Sequence, residues 1–290
     1  MAERPDLEYW VRVLDRELPG RRIVGVRVRK PVVLRLAVDG EPGILLCGRQ
    51  FGRVARRGHF VRFAIEPPSA EPLEIVVSPM LAGRFVLDDA EAKAPGDLAM
   101  AWALDDGREL RYRDDVQMGK VYVMPAGRDE IVPGLATVGI DALDRRAFTP
   151  AKLRALAKGR RDQVRVFLMD KSALDSFGNA YADEALFEAR VHPKTWVRDL
   201  KPADLDRLHA AIVKVLREAR DTVAARRPPL DLKLRDFLKV RNRHGEPCPR
   251  CGDKVRKAGV CGEDSFFCPR CQPETRKSGI VDWRDLGSST

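Results

Sequence analysis

The chain has 290 residues, 44% of them apolar and 33% charged, with a formal net charge of +10. That length allows two domains with real cores, and the mixture excludes a disordered or fibrous protein. No apolar run reaches a membrane span. The first thirty residues, which include Asp6, Glu8, Asp15 and Glu17, hold no signal-peptide core, so a cytosolic protein with reduced thiols and no membrane partner is expected. From Arg226 to Lys277 fourteen Lys/Arg stand against seven Asp/Glu, which points to a polyanionic partner, nucleic acid first; a solvated basic face is the plain alternative.

In chain order, Leu7, Trp10, Val11, Leu14 and Leu18 fall at helical spacing behind Pro5-Asp6, so an amphipathic helix opens the protein. After Pro19-Gly20 the pattern turns to short alternating runs: Ile23–Val28, Val32–Leu36, Ile44–Leu46, Phe60–Ile65, Leu73–Val77, Leu110–Tyr112 and Val121–Met124. Short strands parted by turn residues suggest a β-sandwich, and no Gly-rich phosphate loop interrupts them. Cys47 reads as a small core residue of the third run. Beyond Pro133-Gly134 the texture becomes helical, with a Thr149-Pro150 start signal and a long run from Leu205 to Val223 that Arg227-Pro228-Pro229 ends.

Cys248-Pro-Arg-Cys251 and Cys268-Pro-Arg-Cys271, sixteen residues apart, carry the strongest local signal. Two thiolates in one tight turn bind a single ion, and a second such turn closes a tetrahedral zinc shell with no position left for chemistry. Disulfides or free core cysteines are the alternatives, and neither accounts for two identical knuckles. Cys261 lies outside the ligand pattern. His59, His192, His209 and His244 show no metal spacing, and scattered carboxylates mark no two-metal nuclease.

Three independent stretches carry a resemblance: the start Ala2-Glu3-Arg4-Pro5-Asp6-Leu7-Glu8; the segment from Asp170 through Gly178-Asn179 to Phe187, followed by Val191-His192-Pro193; and the finger ending Cys268-Pro-Arg-Cys271-Gln272. In this order, over nearly the whole chain, they resemble formamidopyrimidine-DNA glycosylase and endonuclease VIII. The resemblance implies a multidomain α+β protein: an N-terminal β-sandwich with a leading helix over residues 1–132, a linker at 133–148, a helix–two-turn–helix domain at 149–245, a four-Cys zinc finger at 246–275 and a tail at 276–290. It further implies a bacterial-type, nucleoid-associated monomer that flips an oxidised base out of damaged double-stranded DNA, removes it and nicks the strand, with one structural zinc ion. A damaged-DNA-binding protein of the same fold without base excision is the alternative.

The family's nucleophile is the α-amine of the first mature residue, usually proline; here that residue is Ala2, exposed once Met1 is removed. Its amine, with a pKa of about 7.7 to 8.0, is partly neutral in the cell. Glu3 holds the family's general-acid position. Gly178 and Asn179 would meet a phosphate through backbone N–H groups and the amide side chain, with Arg165 and Arg270 as further cations. Departures accompany these matches. His59 stands where the family has a phosphate-binding lysine, and Glu263 where it has an arginine. Val116 and Met118 occupy the positions of a wedging arginine and phenylalanine, with Leu81 as another apolar wedge; all three also suit sandwich core. Without the wedge arginine, 8-oxoguanine opposite cytosine is not the assumed substrate.

Overall fold

The computed structural model describes residues 2–66, 71–175 and 177–274. The tail assigned to 276–290 lies outside them.

The opening helix α1 (Arg4–Glu17) buries Leu7, Trp10 and Leu14. Behind it nine strands form two sheets: β1 (Ile23–Val28), β2 (Leu34–Leu36), β3 (Gln50–Arg57), β4 (Phe60–Glu66), β5 (Leu73–Ser78), β6 (Arg84–Asp89), β7 (Leu98–Leu104), β8 (Arg108–Arg113) and β9 (Lys120–Pro125). One sheet runs β1-β7-β8-β6 and the other β2-β9-β5-β4-β3, antiparallel throughout except for the β2–β9 pair. Their inner faces and α1 share one core, in which Phe85 takes the edges of Trp10 and Phe63 at centroid distances of 5.5 and 5.6 Å. A Phe85→Ala change there would cost about 3–5 kcal/mol.

The run Ile44–Leu46 is not a strand. Pro42 at the first helical position starts a short helix, α2 (Pro42–Leu46), and leaves Ile44 82% exposed and Cys47 on the surface rather than in the core. An apolar triplet has too little length for its period to separate helix from strand.

The second domain holds α3 (Pro150–Ala157), α4 (Val164–Met169), α5 (Asn179–Ala189) and α6 (Pro202–Arg226) around Phe167, Tyr181, Leu186, Leu208 and Ile212. Thr149 caps α3 by accepting from Lys152 N–H. Helix α6 packs on both α5 and α1, and Tyr9 Oη donates to the Pro228 carbonyl at 2.9 Å, tying the first domain to the second. The chain ends, within the described residues, in the hairpin β10 (Arg256–Val260) and β11 (Glu263–Phe267) between the two cysteine knuckles. Cys261 and Gly262 form its exposed two-residue turn, both with positive φ.

Candidate active site and nucleic-acid interface

The N-terminal residues sit at the seam between the domains. Ala2 is buried, and Glu3, the N-cap of α1, is 4% exposed. Glu3 N–H donates to the Asp6 carboxylate at 2.9 Å, and Arg235 grips the same carboxylate at 3.0 and 2.6 Å. The Glu3 carboxylate crosses to the second domain, accepting from the N–H groups of Gly178 (3.0 Å), Ala180 (2.9 Å) and Tyr181 (3.1 Å) at the start of α5. Burial pushes its pKa above the ordinary carboxyl range, against the opposing pull of Arg235 and the backbone donors. Such a carboxyl keeps its proton to unusually high pH and still has three donors to receive the ionised form, which suits an acid that must cycle.

The same geometry corrects one expectation. Gly178 N–H is turned inward to Glu3, so it is not among the groups facing outward at the start of α5.

Next to Glu3, Arg4 reaches Asp141 at 2.6 Å and Glu8 at 2.5 Å, while Arg56 of β3 reaches Asp175 at 2.5 Å and Asp141 at 3.2 Å. These pairs bind the start of α1 to β3, to the interdomain linker and to the loop before α5. Arginines and aspartates in these stretches are individually ordinary, so periodicity gives no sign of them; nor does it mark Arg235, whose partner Asp6 lies 229 positions away.

Arg165 does not face solvent. It is 1% exposed, donating to Asp183 at 3.0 Å, to Asn179 Oδ1 at 2.7 Å and to the Asp264 carbonyl at 3.0 Å. It orients the Asn179 amide, leaving Nδ2 to point outward, where it donates to Glu263 Oε2 at 3.3 Å. Arg270 is exposed. His59 is half-buried in the β3–β4 turn against the Phe60 ring, and burial, then Lys171, drive its pKa down to about 3. It is therefore neutral near pH 7 and supplies none of a lysine's charge.

Leu81, Val116 and Met118 are 51, 50 and 44% exposed, so none belongs to the sandwich core. They occupy two loops at one end of the sandwich, β5–β6 and β8–β9, as a solvent-facing apolar trio.

The four knuckle sulfurs lie within 4.8 Å of one another, with Cys251–Cys268 at 3.5 Å and Cys248–Cys271 at 3.9 Å. A tetrahedral shell with Zn–S of about 2.3 Å sets sulfurs roughly 3.8 Å apart, so the donor set fits one structural zinc ion. Gln272 locks the second knuckle, accepting from Cys268 N–H at 3.0 Å and donating to the Val191 carbonyl at 2.9 Å. Arg250 lies over Phe187 at 4.2 Å and donates to its carbonyl at 2.9 Å.

A sandwich whose N-terminal carboxylate is held by a helical domain, with a four-cysteine finger docked on that domain beside an outward-facing amide, is the build of a DNA-repair protein. The N-terminal domain of formamidopyrimidine-DNA glycosylase matches residues 1–121, its H2TH domain residues 138–225, and the zinc finger found in FPG and IleRS residues 245–273. The formamidopyrimidine-DNA glycosylase of Symbiobacterium thermophilum is 35% identical over 280 residues, covering 92% of this chain and 88% of that one. That of Pelotomaculum thermopropionicum is 30% identical over 275 residues, covering 92% and 97%. Among solved structures, Lactococcus lactis Fpg in complex with abasic-site DNA has the same fold, with a TM-score of 0.82 at 22% identity over 94% of this chain and 100% of that one. The MutM (FPG) protein of Thermus thermophilus gives 0.79 at 28% identity over 95% and 100%. The chain belongs to the formamidopyrimidine-DNA glycosylase family and is a DNA glycosylase with one structural zinc ion.

Proposed function

We propose that the protein, working as a monomer, removes an oxidised or ring-opened base from duplex DNA and cleaves the strand at the resulting abasic site, with the α-amine of Ala2 as nucleophile and Glu3 as acid. The observation that carries this is the Glu3 carboxylate, buried beside Ala2 and seated on three N–H groups of the partner domain. The neutral amine attacks the sugar C1′. The C1′–N bond breaks, and the base leaves with the proton that the attacking nitrogen gives up as it bonds to C1′. Glu3 gives a proton to the ring oxygen as the sugar opens, leaving an iminium between Ala2 and C1′. Loss of a C2′ proton then expels the 3′ phosphate, and water releases the enzyme. Alanine supplies a primary amine, which forms the same iminium without proline's fixed ring.

Borohydride reduction of the protein on an abasic duplex, its N-terminus first verified by mass, should give a covalent adduct that maps to Ala2. Glu3→Gln should keep duplex binding and lower excision by about 10²-fold or more, the usual scale for a positioned acid. Tight, damage-selective binding with no adduct would instead support a protein that binds damage without cleaving it.

A further inference from the structure

Tyr112 lies at the end of β8, 0% exposed, its ring against Phe85 at 5.6 Å. Its hydroxyl stands between the two loops that carry the apolar trio. A Cβ on Gly83, in the Leu81 loop, would come within 2.4 Å of that hydroxyl, and a Cβ on Gly119, in the Val116–Met118 loop, within 1.8 Å. Real Cβ atoms never approach so closely, so both loops are glycine at the point where each closes on the same oxygen.

Each loop is also held in a costly shape. Met80 (φ 46°) and Gln117 (φ 58°) are left-handed, next to Leu81 and between Val116 and Met118. Such backbone is strained at a non-glycine residue and persists only where the surroundings fix it. Asp114, fully buried, provides that fixing for one loop by accepting from Val116 N–H (3.1 Å), Gln117 N–H (2.9 Å) and Gly119 N–H (2.7 Å). Pro79 provides part of it for the other, its carbonyl accepting from Gly83 N–H at 2.8 Å. The Tyr112 hydroxyl, buried and with no hydrogen-bond partner among the described residues, is the side-chain group that both loops close on by contact.

We propose that Tyr112 is a positioning residue whose hydroxyl, packed against Gly83 and Gly119, holds the two loops in register as a single wedge, so that Leu81, Val116 and Met118 enter the base stack together. Opening a base step breaks stacking, and a wedge whose halves slide past one another loses part of its push. The trio offers no hydrogen-bond donor to the base opposite the lesion, so the joined surface works by shape and apolar contact alone.

The inference rests on the glycosylase reading above, and its test separates the two. Tyr112→Phe removes one oxygen and keeps the ring in the core. On a duplex bearing a ring-opened formamidopyrimidine with 2-aminopurine beside it, the variant should show single-turnover excision slowed at least tenfold and a fluorescence rise slowed by a similar factor. On a duplex already abasic, where no base needs to be pushed out, nicking should stay within about twofold of the parent. Gly119→Ala should lose excision, and Tyr112→Phe combined with Gly119→Ala should recover part of it, because the nearest clashing atom is gone. Excision at the parent's rate by Tyr112→Phe would overturn the proposal, as would equal losses on both substrates, which would make Tyr112 structural only. The fluorescence reports insertion whether or not a bond breaks. Parent protein that inserts without cutting would overturn the enzymatic reading and leave the loop joint to be judged by the Tyr112→Phe fluorescence.

Discussion

We propose that the Asn179 amide meets a DNA phosphate; the Glu263 carboxylate, 3.3 Å from that amide, then takes the place of a phosphate oxygen. Arg165 makes the arrangement specific: by holding Asn179 Oδ1 it fixes Nδ2 as the outward group, so carboxylate and phosphate compete for the same donor. On that reading each binding event displaces Glu263 and tolerates its charge. Glu263→Gln should therefore tighten duplex binding several-fold at low salt. Glu263→Arg should tighten it further and steepen the fall of log affinity with log salt by about 0.9, the increment for one added phosphate contact. Titrations at several salt concentrations read both quantities; an unchanged slope for the arginine variant would place the finger tip away from the DNA backbone. Loss of Arg165 should act on binding through Asn179 rather than through its own charge.

At the scale of elements, α5 organises the molecule. Its N-terminal N–H groups hold Glu3, and its middle docks the finger. Asp183, 0% exposed, accepts from Arg165 (3.0 Å), Arg241 (2.8 Å), Ser265 Oγ (2.6 Å) and Phe266 N–H (3.1 Å), and Glu184 accepts from the N–H groups of Lys239, Val240 and Arg241. Asp183→Asn leaves a buried guanidinium without its counter-charge, so a loss of about 3–5 kcal/mol in denaturant unfolding is expected. Finger and helix share the small core of Phe187, Val240, Val255 and Phe266, too little to hold the hairpin without metal. Chelation should weaken DNA binding together with finger order; zinc-free protein that nicks at full rate under saturation would remove the finger from the DNA interface. These elements differ in how far the sequence announces them. The cysteine knuckles and the Thr149-Pro150 start are local patterns, and local patterns determine local structure. The docking of α5 depends on partners 58 and 83 residues from Asp183, which no period encodes. Arg165 reads as a surface cation in the sequence because burial of an arginine follows from its partners and not from its neighbours along the chain.

For the molecule as a whole, the domain junctions carry two neutral histidines. His59 lies in a sandwich turn where Lys171 of the second domain adds to burial in holding its pKa near 3; His192, 5% exposed against Phe267 of the finger, is held by burial and Lys194 at about 4. Unfolded, each takes a proton near pH 6.5. Between pH 6.5 and about 4 for His192, and about 3 for His59, the unfolded chain therefore binds more protons than the folded one. Their contribution to stability is complete above pH 6.5 and is lost on acidification, at up to about 1.36 kcal/mol per pH unit for each histidine. Glu3 and Glu184, with pKa values raised by burial, act in the opposite direction, so the total slope understates the histidines. Substitution isolates them. Thermal unfolding from pH 7.5 to 4.5 should show a shallower acid decline for His192→Gln and for His59→Gln than for the parent, with the curves converging toward neutral pH except for a constant offset from lost packing. Parallel curves over the whole range would mean that these rings take up protons without unfolding, and that the junctions open locally to let them do so.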